Sequence, residues 1–166
     1  MVTERKKDMS YFQKMREKVG KETLLLPGAA VIIYTPDEHV LLQRREEGTW
    51  GLPGGLMEPG ESFRETVKRE TEEETGLKLP EDDLHMFGTF TGERYYVEAP
   101  NGDPYYAVSA VYTAPVPDQP LTEGDEETLA LAWFQLSDLP EELRDSHRHF
   151  LAQFQQYGVQ KNLLDQ

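Results

Sequence analysis

Apolar residues recur along this chain with two different periods, and the switches between them mark out the elements. Phe12, Met15 and Val19 fall three and four residues apart, which predicts a short amphipathic helix within residues 9–19. Residues 21–28 are expected to break at Pro27-Gly28. Val31, Ile32, Ile33 and Tyr34 then predict a strand over 29–35, Pro36-Asp37-Glu38 a turn, and 39–45 the returning strand. Residues 46–55 read as a glycine-rich loop. Ser62 and Glu65 make an S-x-x-E capping box directly after Pro59-Gly60, so a helix should start near Phe63, and Gly76 is suited to end it.

Beyond that helix the chain leaves through Pro80, and strands are predicted over 84–90 and 94–98. Pro100-Asn101-Gly102-Asp103 reads as a hairpin turn of type I′. The strand after it, 105–114, alternates through Tyr106, Val108, Ala110 and Tyr112. A Pro-, Gly- and acid-rich loop over 115–125 precedes a strand over 128–136 that holds Trp133 and Phe134. Ser137-Asp138-Leu139-Pro140 resembles a helix start, and 144–157 a closing helix with Phe150, Leu151 and Phe154 inward. His147 and His149, two apart on that helix, diverge, and surface positions are expected for both. Hairpins dominate and no repeat is visible. The order predicts an α+β layered domain with a mixed sheet between helices, residues 1–26 forming a helical segment ahead of a single domain over 27–160.

Composition narrows the chemistry. The chain has 166 residues, 37% of them hydrophobic, enough for a core without cross-links. It has no cysteine, so disulfides and thiolate metal sites are excluded, and a metal would need oxygen or imidazole ligands, favouring Mg²⁺ or Mn²⁺. A net charge of −14 disfavours a groove for polymeric nucleic acid but suits a small phosphate-bearing substrate if divalent cations reverse the local field. The first residues are polar, unlike a secretory signal, and the apolar run 29–34 is too short to cross a membrane. A cytoplasmic protein with no membrane partner is expected.

The predicted helix after Ser62 carries the densest candidate chemistry. At about 100° per residue, Glu70, Glu73 and Glu74 share one arc with Phe63, Val67 and Leu77, whereas Arg64, Lys68 and Glu72 lie opposite. Acids on the packing side are not an ordinary solvated face. Glu70 and Glu74 are a like-charged i,i+4 pair, unfavourable by roughly 0.2–0.5 kcal/mol even when exposed. A divalent cation among them would reverse that sign. Arg69 is placed to orient a carboxylate, Glu61 or Glu73, by bidentate contact. Outside the helix, Arg44 and Arg45 end a strand beside the glycine-rich loop and are candidates for a substrate phosphate. Trp50 reads as a loop anchor or a stacking platform. Tyr95, Tyr96, Tyr105 and Tyr106 are candidates for lining a base or sugar pocket, with packing as the alternative.

These residues resemble the Nudix box, G-x5-E-x7-R-E-U-x-E-E-x-G-U with U a bulky aliphatic residue. Gly55, Glu61, Arg69, Glu70, Glu73, Glu74, Gly76 and Leu77 match at the required spacings, and Thr71 departs at an aliphatic position. Trp50-Gly51-Leu52-Pro53-Gly54-Gly55 before the box, and Ala132-Trp133-Phe134 with Asp138-Leu139-Pro140 late in the chain, match as well. The resemblance implies an α/β/α sandwich carrying the box as a catalytic loop–helix–loop. It implies a hydrolase for a phosphoanhydride in a nucleoside diphosphate derivative, ADP-ribose-like or a nucleoside triphosphate. It further implies Mg²⁺ or Mn²⁺ on Glu70, Glu73 and Glu74 with the Gly55 carbonyl, Glu61 reaching the same site, Arg69 as orienter, and an added acid from the loop before the late strand, Glu127 with Glu126 as its rival and a solvated acidic loop as the alternative. Glu73, Glu74 and Glu127 are the rivals for general base. The alternatives are a catalytically silent nucleotide sensor and an RNA 5′-end pyrophosphohydrolase. A homodimer through the N-terminal helix is a further option.

Overall fold

The computed structural model describes residues 9–99, 101–122, 124 and 126–164, with side chains described as far as Tyr157. Residues 1–8, Pro100, Glu123, Asp125 and 165–166 lie outside the description, and with them parts of the expected N-terminal segment, hairpin turn and acidic loop. Three helices, α1 (Tyr11–Val19), α2 (Phe63–Thr75) and α3 (Asp145–Leu164), accompany one mixed sheet. Its strands are β1 (Leu24–Tyr34), β2 (His39–Arg45), β3 (Trp50–Gly51), β4 (Gly54–Leu56), β5 (His85–Phe90), β6 (Tyr96–Glu98), β7 (Pro104–Pro115) and β8 (Thr128–Gln135). The path runs β3-β2-β1-β7-β5, with β4 on β1, β6 on β7 and β8 on β2.

The long β1 and β7 are parallel in unbroken register from Leu24↔Tyr105 to Tyr34↔Pro115, while the other pairings are antiparallel. Strand period then assigns the two faces. Ala29, Val31 and Ile33 of β1, with Leu41, Ala110 and Tyr112, pack against Val67 and Leu77 on the α2 side. Ala30 and Ile32, with Val40, Leu42 and Val111, pack against Phe150 and Leu151 of α3. Burying both faces explains why 31–34 is continuously apolar rather than alternating.

Several expectations change. No break occurs at Pro27-Gly28: β1 runs through both. Pro27 still accepts a hydrogen bond from the Met57 N–H (3.0 Å), and Gly28 makes room for β4, since a Cβ there would lie 2.7 Å from the Gly55 oxygen. The glycine-rich stretch is not all loop, as it contributes β3 and β4. The strand expected over 94–98 is a 3₁₀ turn, Glu93–Tyr95, followed by the short β6, because Tyr95 turns inward onto Phe150 (5.8 Å between rings). The hairpin is present: the Gly102 N–H donates to the Ala99 oxygen at 2.7 Å and Gly102 has positive φ, while the expected type I′ geometry involves Pro100 and lies outside the described residues. Residues 136–138 turn, 139–140 have no regular structure, and α3 begins only at Asp145. Before it, Leu143 bridges to Trp50, whose N–H donates to Glu142 O and whose carbonyl accepts from the Arg144 N–H, both at 2.9 Å.

Helix α1 begins with its own capping box, Ser10 with Gln13, and rests on the hairpin through Phe12 against Tyr105 and Arg16 beside Asp103 (3.7 Å). Its Tyr11 N–H donates to Glu58 in the turn ahead of α2 (3.1 Å). Among the described residues no helix is long and apolar enough to cross a membrane.

Candidate functional site

Helix α2 is set by its ends. The Ser62 side chain accepts from the Glu65 N–H and the Glu65 carboxylate accepts from the Ser62 N–H, a reciprocal cap of the kind that stabilises a helix by about 1 kcal/mol. Gly76 closes it in the left-handed conformation, φ 75°. Arg64 and Lys68 point outward to Glu81 (2.6 and 2.9 Å), as the helical phasing predicts. The inward face is more polar than expected. Thr66, Thr71 and Thr75 are fully buried beside Val67, and Thr75 bonds the Thr71 carbonyl at 2.7 Å. Thr71 takes the aliphatic position of the box without a partner for its hydroxyl.

The acids divide by environment. Glu74 is only 3% exposed. Its Oε1 accepts from the Gly54 N–H at 3.1 Å, while its buried Oε2 has no hydrogen-bond partner and lies 3.9 Å from Arg45. Burial pushes its carboxyl well above the usual range against the pull of Arg45. Glu70 is also pushed up by burial, opposed by Arg69 and by a hydrogen bond with Glu74. Glu73 is different: its side chain is 49% exposed and turns to Arg69 at 3.4 Å. The three carboxylates therefore do not share one buried face. Two are enclosed, and the third stands at the rim.

Arg69 is the hub. It clamps Glu61 with two hydrogen bonds (2.6 and 2.9 Å), bonds Glu70 at 2.9 Å and reaches the Leu56 carbonyl at 3.2 Å. The guanidinium holds Glu61 below the usual carboxylate range and is itself pushed up by its acids. Glu61 also accepts from the Glu58 N–H (2.8 Å), which ties the turn ahead of α2 into the same network. Among the described residues no three acids or imidazoles meet closely enough to hold an ion in this conformation, because Glu61 and Glu73 are drawn to Arg69. The enclosed pair nonetheless fits a hard cation: two carboxylates in reach of each other, one with an orphaned buried oxygen, against a glycine backbone.

That backbone is crowded by design of the sequence. A Cβ on Gly55 would lie 2.6 Å from the Glu70 carboxyl, so the glycine leaves the space the carboxylate fills. Gly55→Ala is expected to push Glu70 aside and weaken Mn²⁺ binding at least tenfold, read by a thermal-shift titration, with the fold retained.

The other candidates are scattered. Arg45 is drawn in, donating to the Leu52 and Gly54 carbonyls (3.3 Å each) beside Glu74. Arg44 is exposed and bonds the Gly48 carbonyl of its own turn. Trp50 packs edge-on against Phe134 at 4.9 Å. Tyr106 meets Tyr96 at 5.4 Å on the α2 side of the sheet, and Tyr95 is core. Glu127 precedes Thr128, which pairs with Arg45, so the late loop does return to this end of the sheet. Its approach is fixed at the C-terminal end of α2, where the Thr122 N–H donates to the Thr75 carbonyl (3.0 Å) and Gln119 bonds both backbone groups of Lys78 (2.7 and 2.9 Å).

Sequence reasoning missed His147. Far from being a surface residue, its imidazole lies against Gly51 and accepts from the Leu52 N–H at 2.8 Å. The signal was available: His147 falls three residues before Phe150 and four before Leu151, on the inward stripe of α3.

Comparison with known proteins follows the same outline. A family model for the NUDIX domain matches residues 24–154. An ADP-ribose pyrophosphatase of Methanocaldococcus jannaschii is 33% identical over 133 residues, covering 76% of this chain and 73% of that protein. The human 8-oxo-dGDP phosphatase is 33% identical over 121 residues, covering 69% of this chain and 33% of that protein. The crystal structure of a MutT NUDIX hydrolase from Burkholderia pseudomallei superposes with a TM-score of 0.65 at 31% identity, over 78% of this chain and 97% of that one. The chain spans 37%, 33% and 54% of the length of the first curated relatives it matches.

Proposed function

The chain belongs to the Nudix family, and from that premise we propose that it is a metal-dependent hydrolase cleaving a phosphoanhydride in a nucleoside diphosphate derivative. The observation that carries this reading is the enclosed Glu70–Glu74 pair, held against Gly54 and Gly55 and flanked by Arg69 and Arg45. Two ionised carboxylates that close, away from water, are unfavourable unless a cation or proton joins them. Glu70, Glu74 and the Gly55 carbonyl would hold a divalent ion, with Glu73 at the rim as a further ligand. Such an ion, when bound, supplies charge neutralisation on the phosphates and an acidified water.

The remaining work falls to side chains. Arg69 keeps Glu61 and Glu70 in fixed orientations through bonds that a lysine could not reproduce. Arg45 sets a fixed positive charge beside Glu74. Glu73, exposed and held by one long bond, is free to exchange Arg69 for a water proton, which makes it the preferred general base over Glu127. The two named relatives act, by their names, on ADP-ribose and on 8-oxo-dGDP. Both compounds contain a nucleoside diphosphate, and that shared unit is the proposed substrate core.

The test is a product assay with Mg²⁺ or Mn²⁺ over ADP-ribose, canonical and 8-oxo-deoxynucleoside di- and triphosphates, NADH and dinucleoside polyphosphates. Release of a nucleoside monophosphate from at least one, abolished by EDTA, is expected. Tight binding without turnover across the whole panel would replace this proposal with a sensor.

A further inference from the structure

From the contacts between the start of α3 and the glycine-rich loop, we infer that His147 is a positioning residue: it fixes, through Leu52, the backbone that carries Gly54 and Gly55 to the acids. This rests on the hydrolase reading for its consequence but not for its geometry.

The loop is wired residue by residue. Trp50 exchanges backbone bonds with Glu142 and Arg144. The Leu52 N–H donates to His147 Nδ1 at 2.8 Å, and the Leu52 carbonyl accepts from Arg45. The Pro53 carbonyl accepts from the Val31 N–H at 3.0 Å. The Gly54 N–H then reaches Glu74. Within this series the Leu52 N–H has a side chain as its acceptor, and that side chain comes from α3, across the sheet face from α2. The loop has shaped itself to receive the ring, for a Cβ on Gly51 would lie 2.9 Å from Nδ1. The ring is held in place by stacking on Phe150 (5.5 Å, 28°).

Accepting at Nδ1 requires the neutral imidazole with its proton on Nε2. The surroundings enforce this. Burial first, then the charges of Arg144 ahead of its own helix and Arg45 of β2, hold the imidazole well below its usual range. Glu47 in the loop is paired to Arg144, and Tyr105 of β7 lies near the same arginines without carrying charge at neutral pH. A depressed imidazole stabilises the fold above about pH 6.5, the unfolded value, and that contribution fades as the pH falls.

Two substitutions separate positioning from bulk. His147→Phe keeps a ring but has no acceptor; His147→Asn loses the ring but places Oδ1 where Nδ1 was. Amide exchange at Leu52 and Gly54, and Mn²⁺ affinity by thermal-shift titration, are measured on the full chain. His147→Phe is expected to speed Leu52 exchange and to weaken Mn²⁺ binding by about tenfold or more, the usual effect of removing a group that orients a ligand. His147→Asn is expected to restore most of both. Equal defects in the two variants, or wild-type exchange in His147→Phe, would overturn the assignment. Absence of turnover on every substrate would instead count against the hydrolase reading, leaving the exchange comparison to decide the role of His147.

Discussion

Glu74→Gln should lower turnover by at least about 100-fold and, at the same time, raise the melting temperature of the metal-free protein. The first effect follows from losing one of the two enclosed carboxylates proposed to hold a cation, whose charge stabilisation would amount to several kcal/mol, with 1.4 kcal/mol per factor of ten. The second follows from burial. Glu74 is 3% exposed with an unpartnered Oε2, and its neighbour Glu70 is another carboxylate. An amide of the same shape removes the repulsion and can donate to Glu70. A gain of about 1–2 kcal/mol is expected from relieving an unsatisfied buried group, or a rise of roughly 2–8 °C for a chain of this size.

The pH dependence carries the same sign. A carboxyl raised in the folded state contributes stability below its unfolded value of about 4.5 that is lost as the pH rises through the folded value. The metal-free wild type should therefore weaken from acid toward neutral pH, and the variant should show that decline reduced. A product assay checks the turnover, and calorimetry with and without Mn²⁺ checks the two stability effects. A variant that melts lower without metal and keeps the full metal-induced shift would show that Glu74 is a structural acid.

How much of this was legible before the fold was known depended on whether a residue's role is local. The capping box at Ser62–Glu65, the Gly76 stop and the outward Arg64 and Lys68 are read from helical period alone, and each is where that period puts it. The box spacing likewise led to the family. What period cannot show is the depth of burial around the helix. Glu70, Glu73 and Glu74 share an arc, yet Glu73 sits at its edge with its side chain half exposed. The break expected at Pro27-Gly28 failed for a related reason. Proline and glycine punctuate a chain left to itself, but here β4 on one side and β7 on the other supply partners that keep β1 straight. Arg44 and Arg45 are adjacent and chemically identical, and strand alternation sends only Arg45 toward Glu74. Choosing between them requires knowing which face α2 covers. The stripe that His147 shares with Phe150 and Leu151 marks it as inward, but its partner, a backbone N–H 95 residues away, has no signature in side-chain spacing.

Arg69→Ala is the second large effect, and its signature is opposite in stability to that of Glu74→Gln. Removing the guanidinium leaves Glu61, Glu70 and Glu73 facing one another with no other ion-pair partner among the described residues, and frees the Leu56 carbonyl. Hydrogen bonds to charged groups contribute about 1.5–3 kcal/mol each in such settings, and partial exposure of the cluster discounts this toward the lower end. A drop in melting temperature of roughly 3–8 °C is expected, with turnover down by about 100-fold as misplaced carboxylates cost reaction geometry. Arg69→Lys is the sharper variant. It keeps the charge, so it should recover much of the stability, but a point-like ammonium cannot bond Glu61 twice while also holding Glu70 and the Leu56 carbonyl. Turnover should therefore remain low while the melting temperature returns most of the way. Recovery of both by lysine would mean that charge neutralisation alone is what Arg69 provides, and that the fixed orientation of Glu61 and Glu70 has no part in the chemistry.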